Sequence, residues 1–334
     1  LKSWIKKKSE EILIKKLIQW HLDKQWRSIK NFAKTKGITL IGDLPFYVSR
    51  DSVDVWSNKS LFSISQNGDL LFQSGVPPDY FSSTGQLWGT PTYYWSKHKR
   101  TNFKWWRERF KRQFELVDIL RLDHFRALSR YWRVDGNAKN AINGTWINSP
   151  GRELFNILKK DLKSDYLPII AEDLGVITKD VETLRDNYEL PGMKILQFAF
   201  DGNDNNPYLP KNIEGENWVV YTGTHDNSTC ISWWECLENN TKKRIKDEYK
   251  FSENPSWSLI KIGMDTNANL FITPIQDILS LDDSSRLNIP GTTKNNWKWK
   301  LNRPLGEIED DLRRFSDLGN SFGRTRNYQK IKTF

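Results

Sequence analysis

Residues 118–128, DILRLDHFRAL, end an apolar run in Arg121, Asp123, His124 and Arg126. Two other apolar runs end the same way, at Glu172 in IIAEDLG and at Asp226 in GTHDN. Taken singly, each acid reads most simply as a helix cap or a surface ion pair. Taken together, on strands whose ends a single sheet or barrel would gather, they point to glycosidic-bond chemistry. That reaction needs one carboxylate to attack the anomeric carbon and one carboxyl to protonate the leaving oxygen. Arg121 stands two residues before Asp123, on the same face of an extended strand, where its charge favours the ionised form a nucleophile needs. Glu172 follows Ile169, Ile170 and Ala171, an apolar approach that favours the protonated form of a general acid. A role for Glu172 as the partner of a buried arginine stays open on these grounds. His225 and Asp226 are expected to contact the sugar itself.

The elements that must position these groups alternate along the chain. Helical spacing of Leu13, Leu17, Ile18, Leu22, Trp26, Ile29 and Ala33 predicts a helix over 9–36, stopped by Gly37. Apolar strands of buried, parallel type are predicted at 38–48, 117–125, 166–175, 193–202, 217–227 and 267–279. Helices are predicted between them, near 102–116, 152–163, 178–187, 241–250 and 255–263. Asp43, Asp123, Glu172, Asp201, Asp226 and Gln276 fall at or near the C-terminal ends of these strands, where a (β/α)8 barrel collects its reactive groups. No glycine-rich phosphate fingerprint follows any strand, which argues against a nucleotide-binding doubly wound sheet. The fold expected is therefore an α/β, (β/α)8 TIM barrel, incomplete because about six of its eight strands can be counted.

Composition narrows the function classes. The chain has 334 residues, 28% of them charged, and no apolar run of the roughly 18 residues that would mark a membrane span. Its formal charge of +10 comes from 51 Lys and Arg interspersed with 41 Asp and Glu, a pattern of a solvated basic surface rather than a nucleic-acid site. Cys230 and Cys236 are too few for a disulfide framework and lack the partners of a zinc site, so a reducing compartment is expected. Sixteen tryptophans are many, and several sit in polar, Gly- and Pro-containing context, as in DYFSSTGQLWGTPTYYW at 79–95. Trp56, Trp88 and Trp95 are read equally well as loop packing or as flat faces for a sugar. The chain opens at Leu1, without Met, and is expected to be truncated at its N-terminus.

These residues resemble the α-amylase superfamily: RLDHF, AEDLG and THDN are similar to its successive nucleophile, acid/base and third-carboxylate motifs. IGDLPFYVSRDSVDVWSN, GVPPDYFSSTGQLWGTPTYYW, NGTWINSPGRELF, LPGMKILQFAFDG and SRLNIPG narrow the likeness to the 4-α-glucanotransferases of glycoside hydrolase family 77, the amylomaltases or disproportionating enzymes. The resemblance runs from about residue 13 to about 300. It implies a retaining enzyme that holds a glucan segment as a covalent ester and passes it to the 4-hydroxyl of another glucan, with no metal or organic cofactor. By motif, Asp123 is implied as nucleophile, Glu172 as acid/base and Asp226 as stabiliser of the distorted sugar. Asp43, Asp79, Gln86, Trp88, Arg121, Asp201, His225 and Asn288 are implied as substrate contacts. The implied partners are maltooligosaccharides or starch- and glycogen-type glucans, with neither nucleic acid nor membrane, in the cytoplasm or, in a eukaryote, a plastid. The whole of 1–334 is expected to be one catalytic domain, with 49–100 an inserted aromatic substrate-binding region and the family's first two strands missing. The same carboxylates would also serve an α-glucan hydrolase, and an inactive glucan-binding fragment is a further alternative. Ser228 and Cys230 stand where the family usually has Asp and Thr, and Leu287 where it has Met. One of Lys298 and Lys300 stands where Arg is common, a different kind of donor.

Overall fold

The structure, a computed structural model, describes residues 2–78 and 82–324. It divides into two compact units, residues 1–188 and 189–334. Among its described residues the first holds seven strands: β1 (Ile41–Leu44), β2 (Phe72–Val76), β3 (Gln86–Pro91), β4 (Ile119–Leu122), β5 (Arg130–Asp135), β6 (Gly144–Asn148) and β7 (Ile169–Ala171). The second holds β8 (Gly192–Ile195), β9 (Trp218–Tyr221) and β10 (Leu270–Ile272).

In the first unit β1, β4 and β7 form a parallel sheet in the order β1-β4-β7. The central strand β4 is buried along its whole length, as its continuous apolar run requires. The observed strands are shorter than the apolar runs. Pro45 follows β1 directly and has no N–H to continue a ladder, so the expected strand over 38–48 shrinks to four residues. Helix Lys104–Leu116 buries Trp105, Trp106 and Phe110 on one face.

Helix Ser9–Thr35 forms where the spacing predicted it, with Glu10 and Glu11 in its first turn and Lys34 in its last, each sign matching the helix dipole. Its apolar stripe is not a core face within this unit: Leu13, Leu17, Ile18, Leu22 and Ile29 are exposed and Ala33 is its one buried residue. It is held instead by polar contacts, Trp26 Nε1 donating to the Leu116 carbonyl at 2.7 Å and Lys30 Nζ to the Val117 carbonyl at 2.9 Å.

A second sheet in this unit, antiparallel and ordered β3-β2-β5-β6, was not legible as such. Trp88, expected on a loop, lies on strand β3, with Gly89 beside it at φ +65°. The aromatic region therefore supplies two strands and the helices Val53–Ser57 and Trp95–Arg100, and is a built surface more than an irregular loop.

In the second unit β8, β9 and β10 form a parallel sheet in the order β10-β9-β8. Its core includes Leu196, Val220, Cys230, Ile245 and Leu259. Here too the strands are short. The run over 193–202 leaves β8 for a tight turn at Leu196–Phe198, and the run over 267–279 leaves β10 at Pro274 for the helix Ile275–Ile278.

Candidate active site

In the first unit the candidate groups Asp43, Arg121, Asp123 and Glu172 sit where β1, β4 and β7 end. Asp43 on β1 is in register with Arg121 on β4, so the two side chains leave the sheet side by side. Arg121, 9% exposed, donates from Nη1 to both carboxylate oxygens of Asp43 at 2.9 Å. The same nitrogen lies 3.1 Å from Asp123 Oδ1. Burial works to lower the basicity of this guanidinium, but Asp43, Asp123 and Glu172 outweigh it and raise it. Arg121 is therefore a fixed positive charge shared by Asp43, Asp123 and, through its field, Glu172.

The strand ends are laced by backbone bonds. The Asp123 amide donates to the Leu44 carbonyl and the Glu172 amide to the Leu122 carbonyl, each at 3.1 Å. His124 then turns the chain through the left-handed region, φ +52°, which aims its amide at Glu172 Oε2, 2.7 Å away. Glu172 Oε1 accepts the Leu174 amide at 3.0 Å. These two donors and Arg121 favour a carboxylate, yet burial and then the neighbouring charge of Asp123 prevail and push the Glu172 carboxyl up to about 8. The side chains of Asp123 and Glu172 are thus electrostatically coupled, and Glu172 is the one held protonated at neutral pH.

Aromatic rings adjoin this turn. The Trp88 ring meets the His124 ring edge-on at 4.7 Å and the Tyr47 ring at 5.8 Å, while 36% of Trp88 stays exposed. Burial, followed by the charge of Arg126, pushes the His124 imidazole down to about 3, so it is a neutral ring beside the acids. Gln86 reaches Trp88 Nε1 through its Oε1 at 3.3 Å. Trp56 is exposed away from these contacts and Trp95 is buried among Phe46, Tyr93 and Trp106. Asp79 lies outside the described residues.

The second unit carries its own cluster on the loop after β9. Asn288 Nδ2 donates to Asp226 Oδ1 at 2.6 Å, and His225 Nε2 lies 3.5 Å from Asp226 Oδ2. The His225 ring packs against Trp297 at 5.1 Å. Arg286, which sequence reasoning did not single out, donates to the Asp226 carbonyl at 2.6 Å and to Ser228 Oγ at 3.0 Å. Its only sequence signal is its place two residues before Asn288. Ser228 and Cys230, at the two departures in THDNSTC, are both absorbed: Ser228 takes the Arg286 bond and Cys230 is fully buried. Asp201 is not at a strand end; it lies six residues beyond β8, and its Oδ1 accepts the Asn203 amide in a local turn. Gln276 is buried in Ile275–Ile278 and donates to the Ser285 carbonyl. Among the described residues no group of His, Cys, Asp and Glu has the makings of a metal site, and no helix is long and apolar enough to cross a membrane.

The sequence profile of the 4-alpha-glucanotransferase family matches residues 1–305. The chain belongs to this family. A 4-alpha-glucanotransferase of Synechocystis sp. is 45% identical over 303 residues, 90% of this chain and 60% of that protein. The chloroplastic/amyloplastic 4-alpha-glucanotransferase of Arabidopsis thaliana is 42% identical over 310 residues, 92% of this chain and 53% of that one. Among solved structures, the amylomaltase from Streptococcus agalactiae in complex with acarbose superposes with a TM-score of 0.91 at 37% identity, covering 96% of this chain and 65% of that one. This chain thus spans roughly three-fifths of the length of the Synechocystis protein, and the fold it shares with the amylomaltase is of mixed α/β type.

Proposed function

We propose that this chain carries the catalytic carboxylates of a 4-alpha-glucanotransferase that moves α-1,4-glucan segments between maltooligosaccharides by a retaining double displacement. One observation carries the reading: Arg121 bridges Asp43 and Asp123 while the adjoining Glu172 carboxyl is pushed up to about 8. An ion-paired carboxylate thus stands beside a carboxyl that burial raises, which is the pairing that glycosyl transfer uses.

In this reading Asp123 attacks the anomeric carbon and forms the ester as Glu172 gives its proton to the departing 4-oxygen. Glu172, now ionised, then takes the proton of an incoming 4-hydroxyl, which displaces Asp123 and restores both groups. Asp226, held by Asn288 and Arg286, offers negative charge to the distorted sugar. Asp43, Arg121 and His225 bind the donor glucose, and Gln86 and Trp88, with Asp79, serve the acceptor side; Asn288 and Asp201 are the remaining substrate contacts. We assign the parallel strands to an incomplete (β/α)8 barrel in one catalytic domain, with 49–100 as its substrate-binding region. Its substrates would be maltooligosaccharides and starch- or glycogen-type glucans in the cytoplasm or a plastid, with no cofactor required.

Incubation with maltotriose tests this directly. Transfer gives glucose together with longer maltooligosaccharides at a constant number of reducing ends. A rise in reducing ends without longer products would make the chain a hydrolase instead.

A further inference from the structure

The loop that carries His225 and Asp226 leaves β9 at Thr222 and enters the helix Cys230–Cys236 at Cys230. Both of its ends reach one side chain. Asp277, 1% exposed, accepts the Thr222 hydroxyl at Oδ2, 2.7 Å away, and the Cys230 amide at Oδ1, 2.8 Å away. It comes from the short helix after β10, so it ties the loop's two ends to a neighbouring strand's own continuation. Gln197 adds a bond from Nε2 to the Ser228 carbonyl at 2.9 Å, and Asp283 accepts the Thr229 amide at 2.8 Å.

A carboxylate buried this deeply is costly unless its lone pairs are used, and a hydrophobic residue would fill the same space at less cost. Its use lies in what it fixes. We propose that Asp277 is a positioning residue: by clamping both ends of the 222–230 loop it sets the direction in which Asp226 presents its carboxylate, without touching substrate itself. The alternative, that Asp277 merely fills the core, predicts that its loss loosens the whole sheet evenly. The clamp predicts loss confined to the loop. This inference rests on the transferase reading for its kinetic consequence but not for its structural one.

The test is amide hydrogen exchange by mass spectrometry on the full chain, paired with maltotriose kinetics. D277A takes the acceptor from the Cys230 amide and leaves the Thr222 hydroxyl only Thr273 Oγ1, 3.0 Å away. It should speed exchange in peptides covering 222–230 at least tenfold while peptides covering β8 and β9 stay within about twofold of wild type. D277N keeps an oxygen for the Cys230 amide and places an NH2 opposite a hydroxyl that can also accept, so it should restore protection to within about threefold. T222V, which removes one of the two tethers and keeps the side chain's shape, should fall between them and serves if D277A does not fold. In kinetics, D277A should lower kcat at least tenfold with KM changed less than threefold, because the clamp acts on the reacting geometry. Even loss of protection across β8, β9 and the loop, or wild-type exchange in T222V, would overturn the proposal. A wild-type chain inactive on maltotriose would sink the transferase reading alone, since the exchange pattern still decides the clamp.

Discussion

Replacing Glu172 by Gln removes one titrating group from the first unit and should change stability in opposite senses at low and high pH. The native carboxyl sits at about 8, against 4.5 for an ordinary glutamate. Between those values the folded chain binds more protons than the unfolded one, so this residue's contribution to stability is full below pH 4.5 and is lost as pH rises through 8. At 1.36 kcal/mol per pH unit the interval is worth roughly 5 kcal/mol, and the solvent access that Glu172 retains screens it to about 2–3 kcal/mol. Glutamine does not titrate, but it has a single acceptor oxygen where Glu172 accepts both the His124 and Leu174 amides. One buried N–H then faces an NH2, at about 1–2 kcal/mol. E172Q should therefore be less stable than wild type by about 1–2 kcal/mol at pH 4 and equal or more stable at pH 9. Denaturant unfolding of both proteins at pH 4, 6.5 and 9 measures the difference, in which titrating groups that do not interact with Glu172 cancel. A difference that stays within about 1 kcal/mol across that range would show that the Glu172 carboxyl is not raised, and the acid role argued from it would fall.

Other substitutions probe the remaining parts. D123N should abolish transfer, a loss of at least about a thousandfold in kcat, with maltose binding retained in calorimetry; near-wild-type transfer would remove Asp123 from the nucleophile's role. W88A exposes the His124 ring it covers at 4.7 Å and should cut acceptor use at least about tenfold while lowering Tm by less than about 4 °C. Equal proportional losses in both would make Trp88 a packing residue. N288A frees Asp226 Oδ1 of its 2.6 Å bond and should lower kcat by about 10–100-fold with little change in Tm, as read from the same maltotriose assay and thermal melts.

The gathering of charged side chains at strand ends was more legible in the sequence than the architecture around it. Arg121 and Asp123 could be placed on one face because strand geometry has a strict period of two, and an apolar approach to Glu172 translates directly into desolvation. What escaped depends on contacts distant in sequence. Asp277 and Arg286 reach the 222–230 loop from about 50 or more residues away; Arg286 ends no apolar run, and Asp277 sits beside Gln276, which drew the attention in its run. Strands β5 and β6 pair through mixed polar and aromatic residues such as Trp132 and Trp146, which carry no clean alternation to read. The stripe on helix Ser9–Thr35 shows the converse error of treating periodicity as burial. Spacing fixed the helix, but which neighbour covers its apolar face is not encoded in the spacing.

Trapping the covalent intermediate tests the central claim most directly. A maltosyl fluoride needs little acid assistance to leave, so E172Q should still form the glycosyl ester but lack the base that activates the acceptor. The ester should accumulate, and peptide mass spectrometry should find one maltosyl group, on Asp123. A label on another residue, or consumption of the fluoride with inverted product and no label, would contradict the account.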